Sequence, residues 1–518
     1  MSSFSTNAGA RARGYNILVE TPTHDGDASC ARGPLRHEPV RDERTRSTGA
    51  RAALRSAVEG RFATDVLPAL ARYTSIECLS PAFDASWAER GEILRAGHLL
   101  RDWARSRPVP GLTAELLRHG ERTPVLLVEV PATDPRRGTS TTLLYGHFDK
   151  QPPLGRWRDG LSPYSAVLEG DRLYGRGTAD DGYSTFAALT AVEALEHAGG
   201  AHGRVVLLVE ASEESGSPDL SAYLDLLSPR IADPSLVVCL DSSCPTYDRL
   251  WVTTSLRGNL VCELRVDVLD SGVHSGIAGG LVPSSFRVLR ALLDRVEDPR
   301  TGEILVPELR SEVPERRRSE IASLASALGE GALGGFPTVD GLVLDGTGTT
   351  DRLGRVTWGP SLAVTGAEGI PSLPDAGNVL RPYTSVKLSI RLPPRTDPEE
   401  ARRALHRTLT SDPPSGARVR VTWDAPAAGW DAPDNPSWLA SALDEASLAG
   451  YGAPSGAAGL GGSIPFVSAL GSRYPGTSVV VTGVLGPGSN AHGPDESLHV
   501  PAATSLTVAV AHLLALAP

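Results

Sequence analysis

Four apolar runs constrain this chain most: VLLVEV at 125–130, TTLLYGH at 141–147, RVVLLVEA at 204–211 and SLVVCLD at 235–241. They alternate with segments of helical spacing, such as 184–198 and 219–227. Near-continuous Val/Leu strands separated by helices fit an α/β fold, with a central mixed sheet between helical layers. In an open α/β sheet, function collects beyond the carboxyl ends of the strands. This sequence places acids and histidines there. They read GHFDKQP at 146–152, TADDG at 178–182, EESGS at 213–217, LDS at 240–242 and, after the apolar run 478–484, NAHG at 490–493.

At 518 residues the chain exceeds one hydrophobic core, so more than one domain is expected. Residues 1–48 are rich in Ser, Thr, Gly, Arg and Asp without periodicity, and read as disordered. Helices are expected over 50–73 and 87–105. At about Ser255 the pattern changes: 259–268, 387–393 and 417–423 alternate as half-buried strands do. Helices are expected between them, the second capped by Asp397 with Pro398 behind it. This order predicts a smaller α+β domain over 256–424, inserted in a larger one made of 49–255 and 425–518. The stretch 297–385 is dense in Gly and Pro and gives no clear pattern.

Composition narrows the partners. A net charge of −11 argues against nucleic acid, and no apolar run has the roughly 18–20 residues of a membrane helix. The N-terminus shows no apolar signal core. The five cysteines are odd in number and contain no CxxC pair, which argues against a disulfide framework or a Cys-zinc site and favours the cytoplasm.

Two divalent cations roughly 3.5–4 Å apart need a bridging carboxylate, then one His and one further carboxylate each. The clusters supply that set. Asp180 is the bridge; His147 and Asp241 complete one site, Glu214 and His492 the other. Glu213 is left beside Glu214 as general base. Asp149 is placed to accept the second ring proton of His147 and fix its tautomer. Zinc suits the donors best, and manganese or cobalt also fits. Singly, each residue has a bland reading, since lone histidines are usually surface or core residues and paired acids usually cap helices. Six such groups at strand ends, in one order, do not.

HFDKQP, DRLYGRGTADDG (171–182), EESGS, GVHSG (272–276) and GGSIPF (461–466) together resemble the M20 family of di-metal peptidases, with carnosinase-like cytosolic dipeptidases nearest in look. The resemblance runs from about residue 60 onward, with the motifs in the family's order. It implies a catalytic domain interrupted by a lid domain that forms a homodimer. It further implies that His274 reaches a neighbouring subunit's site to polarise the scissile carbonyl. Arg391 would hold a substrate carboxylate, and Ser463 would belong to a substrate-contacting loop. Three places depart from the family pattern. Gly182-Tyr183 follow the Asp pair where a Lys is usual. Leu460 stands where dipeptidases carry an acid that meets a substrate amino group. The loop SSCPTYDR after Asp241 matches no substrate class. Asp at 241, by contrast, is commoner in dipeptidases and aminopeptidases. The expectation is a metal-dependent hydrolase of a dipeptide or similar small substrate with a free carboxylate. An N-acyl-amino-acid amidohydrolase or carboxypeptidase, and a non-catalytic binding protein on the same scaffold, are the alternatives.

Overall fold

The computed structural model describes residues 43–137, 140–330, 338–474 and 476–518. Most of the segment expected to be disordered lies outside these residues. Its last part does not: a helix already runs over Glu43–Arg61. It continues through a wider turn at Phe62–Val66 into Leu67–Thr74. The helix expected over 87–105 is two, Trp87–Arg90 and Glu92–Arg105, because Gly91 between them takes a left-handed φ of 71°. A residue without Cβ ends one helix there and lets the next begin.

The apolar runs build one six-stranded sheet, in the order Thr113–Leu117, Val125–Val130, Arg204–Glu210, Thr141–His147, Leu236–Cys239, Ser478–Val481. The last four pair in parallel, and Val125–Val130 runs antiparallel to both its neighbours, so the sheet is mixed as expected. Their two faces go to two different cores. Leu144, Leu207 and Val209 pack under the helices Tyr183–His197 and Val500–Leu516. Leu143, Tyr145, Val206 and Leu208 pack on the other side against Leu220, Tyr223 and Phe466. Burial on both faces is what the continuous apolar runs demanded.

A second, wholly antiparallel sheet has the order Ser361–Glu368, Tyr383–Leu392, Gly258–Asp267, Arg418–Trp423. One face carries the helices Ser285–Leu293 and Pro398–Thr410 over a core of its own, including Leu260, Leu264, Leu388 and Ile390. Asp397 caps the second helix by accepting the Glu399 and Glu400 amides at 2.8 and 2.9 Å. The strand Ser361–Glu368 is an addition to what the sequence predicts. Its residues are half-buried or exposed throughout, so no hydrophobic alternation marks it. Helices Glu315–Leu328 and Gly348–Trp358 occupy the same hard-to-read stretch. A three-stranded sheet of Trp430–Asp431, Trp251–Leu256 and Gly456–Leu460 adjoins the entry to Gly258–Asp267. Among the described residues, no helix is long and apolar enough to cross a membrane.

Candidate metal centre

His147 is the last residue of its strand, and Asp241 lies just past the end of the neighbouring parallel strand. Sheet pairing therefore sets these two side by side. Glu213 and Glu214 follow the strand Arg204–Glu210 on a single turn, Glu213–Ser215. Asp180 comes from an irregular turn that opens the helix Tyr183–His197; the Asp180–Asp181 peptide is cis. His492 sits in the loop after Ser478–Val481.

These loops converge on Asp180. Its Oδ1 is 3.3 Å from His147 Nε2 and its Oδ2 is 3.0 Å from His492 Nε2. Asp241 Oδ1 lies 3.9 Å from His147 Nε2, and Glu214 Oε2 lies 3.3 Å from His492 Nε2. Two groups of potential ligand atoms result, His147–Asp180–Asp241 and Asp180–Glu214–His492, each with its atoms within 4.8 Å of one another. Asp180 belongs to both.

Asp149 ties two of the loops together. Its carboxylate accepts the backbone N–H of Glu213 at 3.2 Å and of Glu214 at 3.0 Å. The same carboxylate stands 3.3 Å from His147 Nδ1, and the Asp149 carbonyl oxygen is 3.2 Å from that nitrogen. Gln151 donates to Glu214 Oε2 at 2.7 Å. Gly146 is needed for closeness. A Cβ there would come within 2.2 Å of Ser184 Oγ and 2.5 Å of Asp181 Oδ2, and that Asp181 oxygen accepts the His147 N–H at 3.1 Å.

The electrostatics are those of crowded anions. Burial, reinforced by the charge of Asp180, pushes Glu214 up to about 8. Burial also raises Asp241 to about 6, against the pull of His147. Glu213 is lifted well above the carboxylate range by burial and then by Asp241. Burial alone would depress His147, but its contacts with Asp149 and Asp180 raise it well above 6.5. The His492 side chain is 54% exposed; the partial desolvation of its ring works the same way, and Asp180 and Glu214 outweigh it, raising that ring to about 9. Asp180 moves down, because the two imidazoles outweigh its burial. Oxygen and imidazole donors in two groups around a shared carboxylate fit a pair of divalent cations, whose charge offsets this repulsion.

The remaining candidates lie elsewhere. His274 is exposed on the short strand Val273–His274, paired with Val379–Leu380, and its Nδ1 accepts the Gly276 N–H at 3.1 Å. Arg391 is half-buried on Tyr383–Leu392, opposite Asn259, on the side of the sheet away from the Leu388–Ile390 core. Burial lowers its pKa, and its charge adds to the lowering of Arg257 to about 10, after burial. Arg257 in turn holds the turn before Ser463. Its backbone N–H donates to Gly462 O at 3.1 Å and its Nε to Gly461 O at 2.9 Å. Ser463 is half-buried.

A family model for peptidase family M20/M25/M40 matches residues 143–517, a span that contains the whole cluster. The chain belongs to this peptidase family. Among M20 relatives, it is 27% identical over 393 residues to the cysteinylglycine-S-conjugate dipeptidase of Corynebacterium striatum, covering 74% of this chain and 82% of that one. It is 29% identical over 293 residues to the Beta-Ala-His dipeptidase of Homo sapiens, covering 55% and 56%. The fold matches human carnosine dipeptidase 1 with a TM-score of 0.72 at 21% identity, over 90% of this chain and 98% of that one. Sequence reading of this M20 chain missed Gln151, Arg176, Glu496 and Arg257. Arg257 does follow a buried strand closely and Arg176 a short half-buried one, but nothing in their spacing separates them from the chain's many other arginines.

Proposed function

We propose that this M20 peptidase hydrolyses the amide bond of a dipeptide or similar small substrate with a free carboxylate, using two divalent cations. The observation that carries the reading is Asp180, one carboxylate facing both His147 and His492. Zinc is the cation proposed, on the mixed imidazole and carboxylate donors. Cations held by His147, Asp180, Asp241, Glu214 and His492 would acidify a water between them and polarise the substrate carbonyl. Glu213 takes the proton of the attacking water and returns it to the departing nitrogen. Asp149 keeps the Glu213–Glu214 turn and His147 in mutual register. Arg391 offers a planar fork to the substrate carboxylate. The dipeptidase names of the relatives support the substrate class. Glu213→Ala should lower turnover by about 10²–10⁴-fold while leaving metal content unchanged; full activity would refute the assignment.

His274 is exposed, and its ring bonds to Gly276 rather than to any residue of the cluster; a second copy is proposed to receive it. Ile277, Leu281, Leu373 and Val379 are apolar and exposed on the segments around it, with Leu373 at 92%. A two-fold dimer would cover them and complete each site. Glu213→Ala and His274→Ala proteins, each inactive, should regain activity on subunit mixing, since one site of the mixed dimer has both residues. No recovery would refute the sharing. Within the chain, residues 49–255 with 425–518 are proposed as the catalytic part and 256–424 as the lid. The four described cysteines, all buried and free, support a reducing cytoplasm as the setting.

A second reading rests on Leu460, which packs against an apolar core where an acid would meet a substrate ammonium. That favours an N-acylated substrate, and rates on free and N-acetylated dipeptides would separate the two.

A further inference from the structure

Arg176 and Glu496 form an ion pair closed off from water, at 1% and 0% exposure, with Nη1 2.6 Å from Oε2. Neither belongs to the ligand groups. A buried pair of this kind is weak evidence of stabilisation, because desolvating two charges offsets much of their attraction. What the pair touches is more telling. The other oxygen, Glu496 Oε1, accepts three backbone N–H groups, from Gly177 at 3.0 Å and from Ala179 and Asp180 at 3.2 Å each. The turn that delivers Asp180 is wrapped around this one atom. The other arm of the guanidinium, Nη2, donates to Gly493 O at 2.8 Å, next to His492. The pair thus fastens the Asp180 turn to the His492 loop.

That loop needs fastening. His492 holds a φ of 63°, and Asn490 and Asp495 are left-handed too, at 52° and 58°. A residue other than glycine held there persists only where its surroundings fix it. The other ligand group is held differently. His147 and Asp241 stand at the ends of two paired strands, so the sheet fixes them.

We infer that Arg176 and Glu496 are positioning residues that set Asp180 against His492, and so govern affinity for the cation at Asp180–Glu214–His492 more than for the one at His147–Asp180–Asp241. The inference rests on the two-cation reading above.

Metal-free wild type, E496Q and R176K are titrated with Zn²⁺ by calorimetry, with circular dichroism to follow the fold. E496Q keeps Oε1 as acceptor but turns an amide N–H toward Arg176. R176K leaves a cation for Glu496 but removes the fork that also reaches Gly493. Wild type should take up two equivalents. Both variants should bind one with near-native affinity and the second about 10–100-fold more weakly. Two equivalents of native affinity in both variants would overturn the inference, as would equal weakening of both. If E496Q does not fold, R176K alone decides. Failure of both to fold, with or without Zn²⁺, would overturn it in favour of a purely structural pair. Wild type binding fewer than two equivalents would instead sink the two-cation reading itself.

Discussion

Asp149→Asn is the sharpest probe of how the centre is held. The side chain is fully buried, and its carboxylate receives N–H groups from Glu213 and Glu214 while facing His147 Nδ1. Asparagine has the same shape but only one acceptor corner. With the amide nitrogen in place of Oδ2, the Glu214 N–H meets a donor and only the Oδ1 side survives. With it in place of Oδ1, both the Glu213 N–H and the His147 contact are lost, so the first orientation costs less. One hydrogen bond to a charged acceptor contributes about 1.5–3 kcal/mol. A loss near 2 kcal/mol falls on the turn that presents Glu214, and corresponds to about a 30-fold drop in an equilibrium constant. Zn²⁺ affinity, measured by chelator competition, should fall by about that factor. Amide hydrogen exchange should quicken in the peptide covering Glu213–Ser215 and little elsewhere. Native metal affinity together with native protection of that turn would refute the reasoning.

Other consequences are open to simple assays. Phe466 is fully buried and stacks on Tyr145 at 3.4 Å between ring centres; Phe466→Ala should cost about 3–5 kcal/mol, read as a lowered melting temperature. Because it lies three residues past the Gly461–Ser463 turn, the same change should raise KM more than it lowers kcat. Loading metal-free protein with Zn²⁺ near neutral pH should release protons, since imidazole and carboxylate ligands must be deprotonated to bind; calorimetry in buffers of different ionisation heat would detect it, and equal heats would count against it. Burial pushes the Cys244 and Cys262 thiols up to about 12. A thiol raised above its unfolded value near 9 favours the fold below that pH, and the benefit is lost as pH rises from 9 toward 12. A thiol reagent at pH 8 should therefore leave the four described cysteines unmodified in the native protein and reach them once it is unfolded.

The sheet was legible because burial on both faces leaves a strong mark, the continuous Val and Leu runs. The candidate ligand groups stood out because carboxylates and imidazoles at strand ends have few other reasons to be there. His147, Asp180, Glu214, Asp241 and His492 do come together. The strand Ser361–Glu368 was not legible, since its exposed side chains carry no period. Neither was the break at Gly91, although a glycine inside a helical pattern is a signal that could have been used. Arg176 and Glu496 escaped for a deeper reason. Their work is done through backbone N–H and C=O groups, which every sequence contains, so only the folded chain shows which of them they meet.

The clasp between Arg176 and Glu496 joins residues 320 apart in sequence. Closing so long a loop costs entropy that earlier, local contacts do not repay, and pairings of this range tend to form late in folding. A chain still being made, or one partly unfolded, therefore has neither His492 beside Asp180 nor Glu496 to hold the Asp180 turn. If His492 serves as proposed, activity would arrive only with the finished fold and would be lost when that loop loosens.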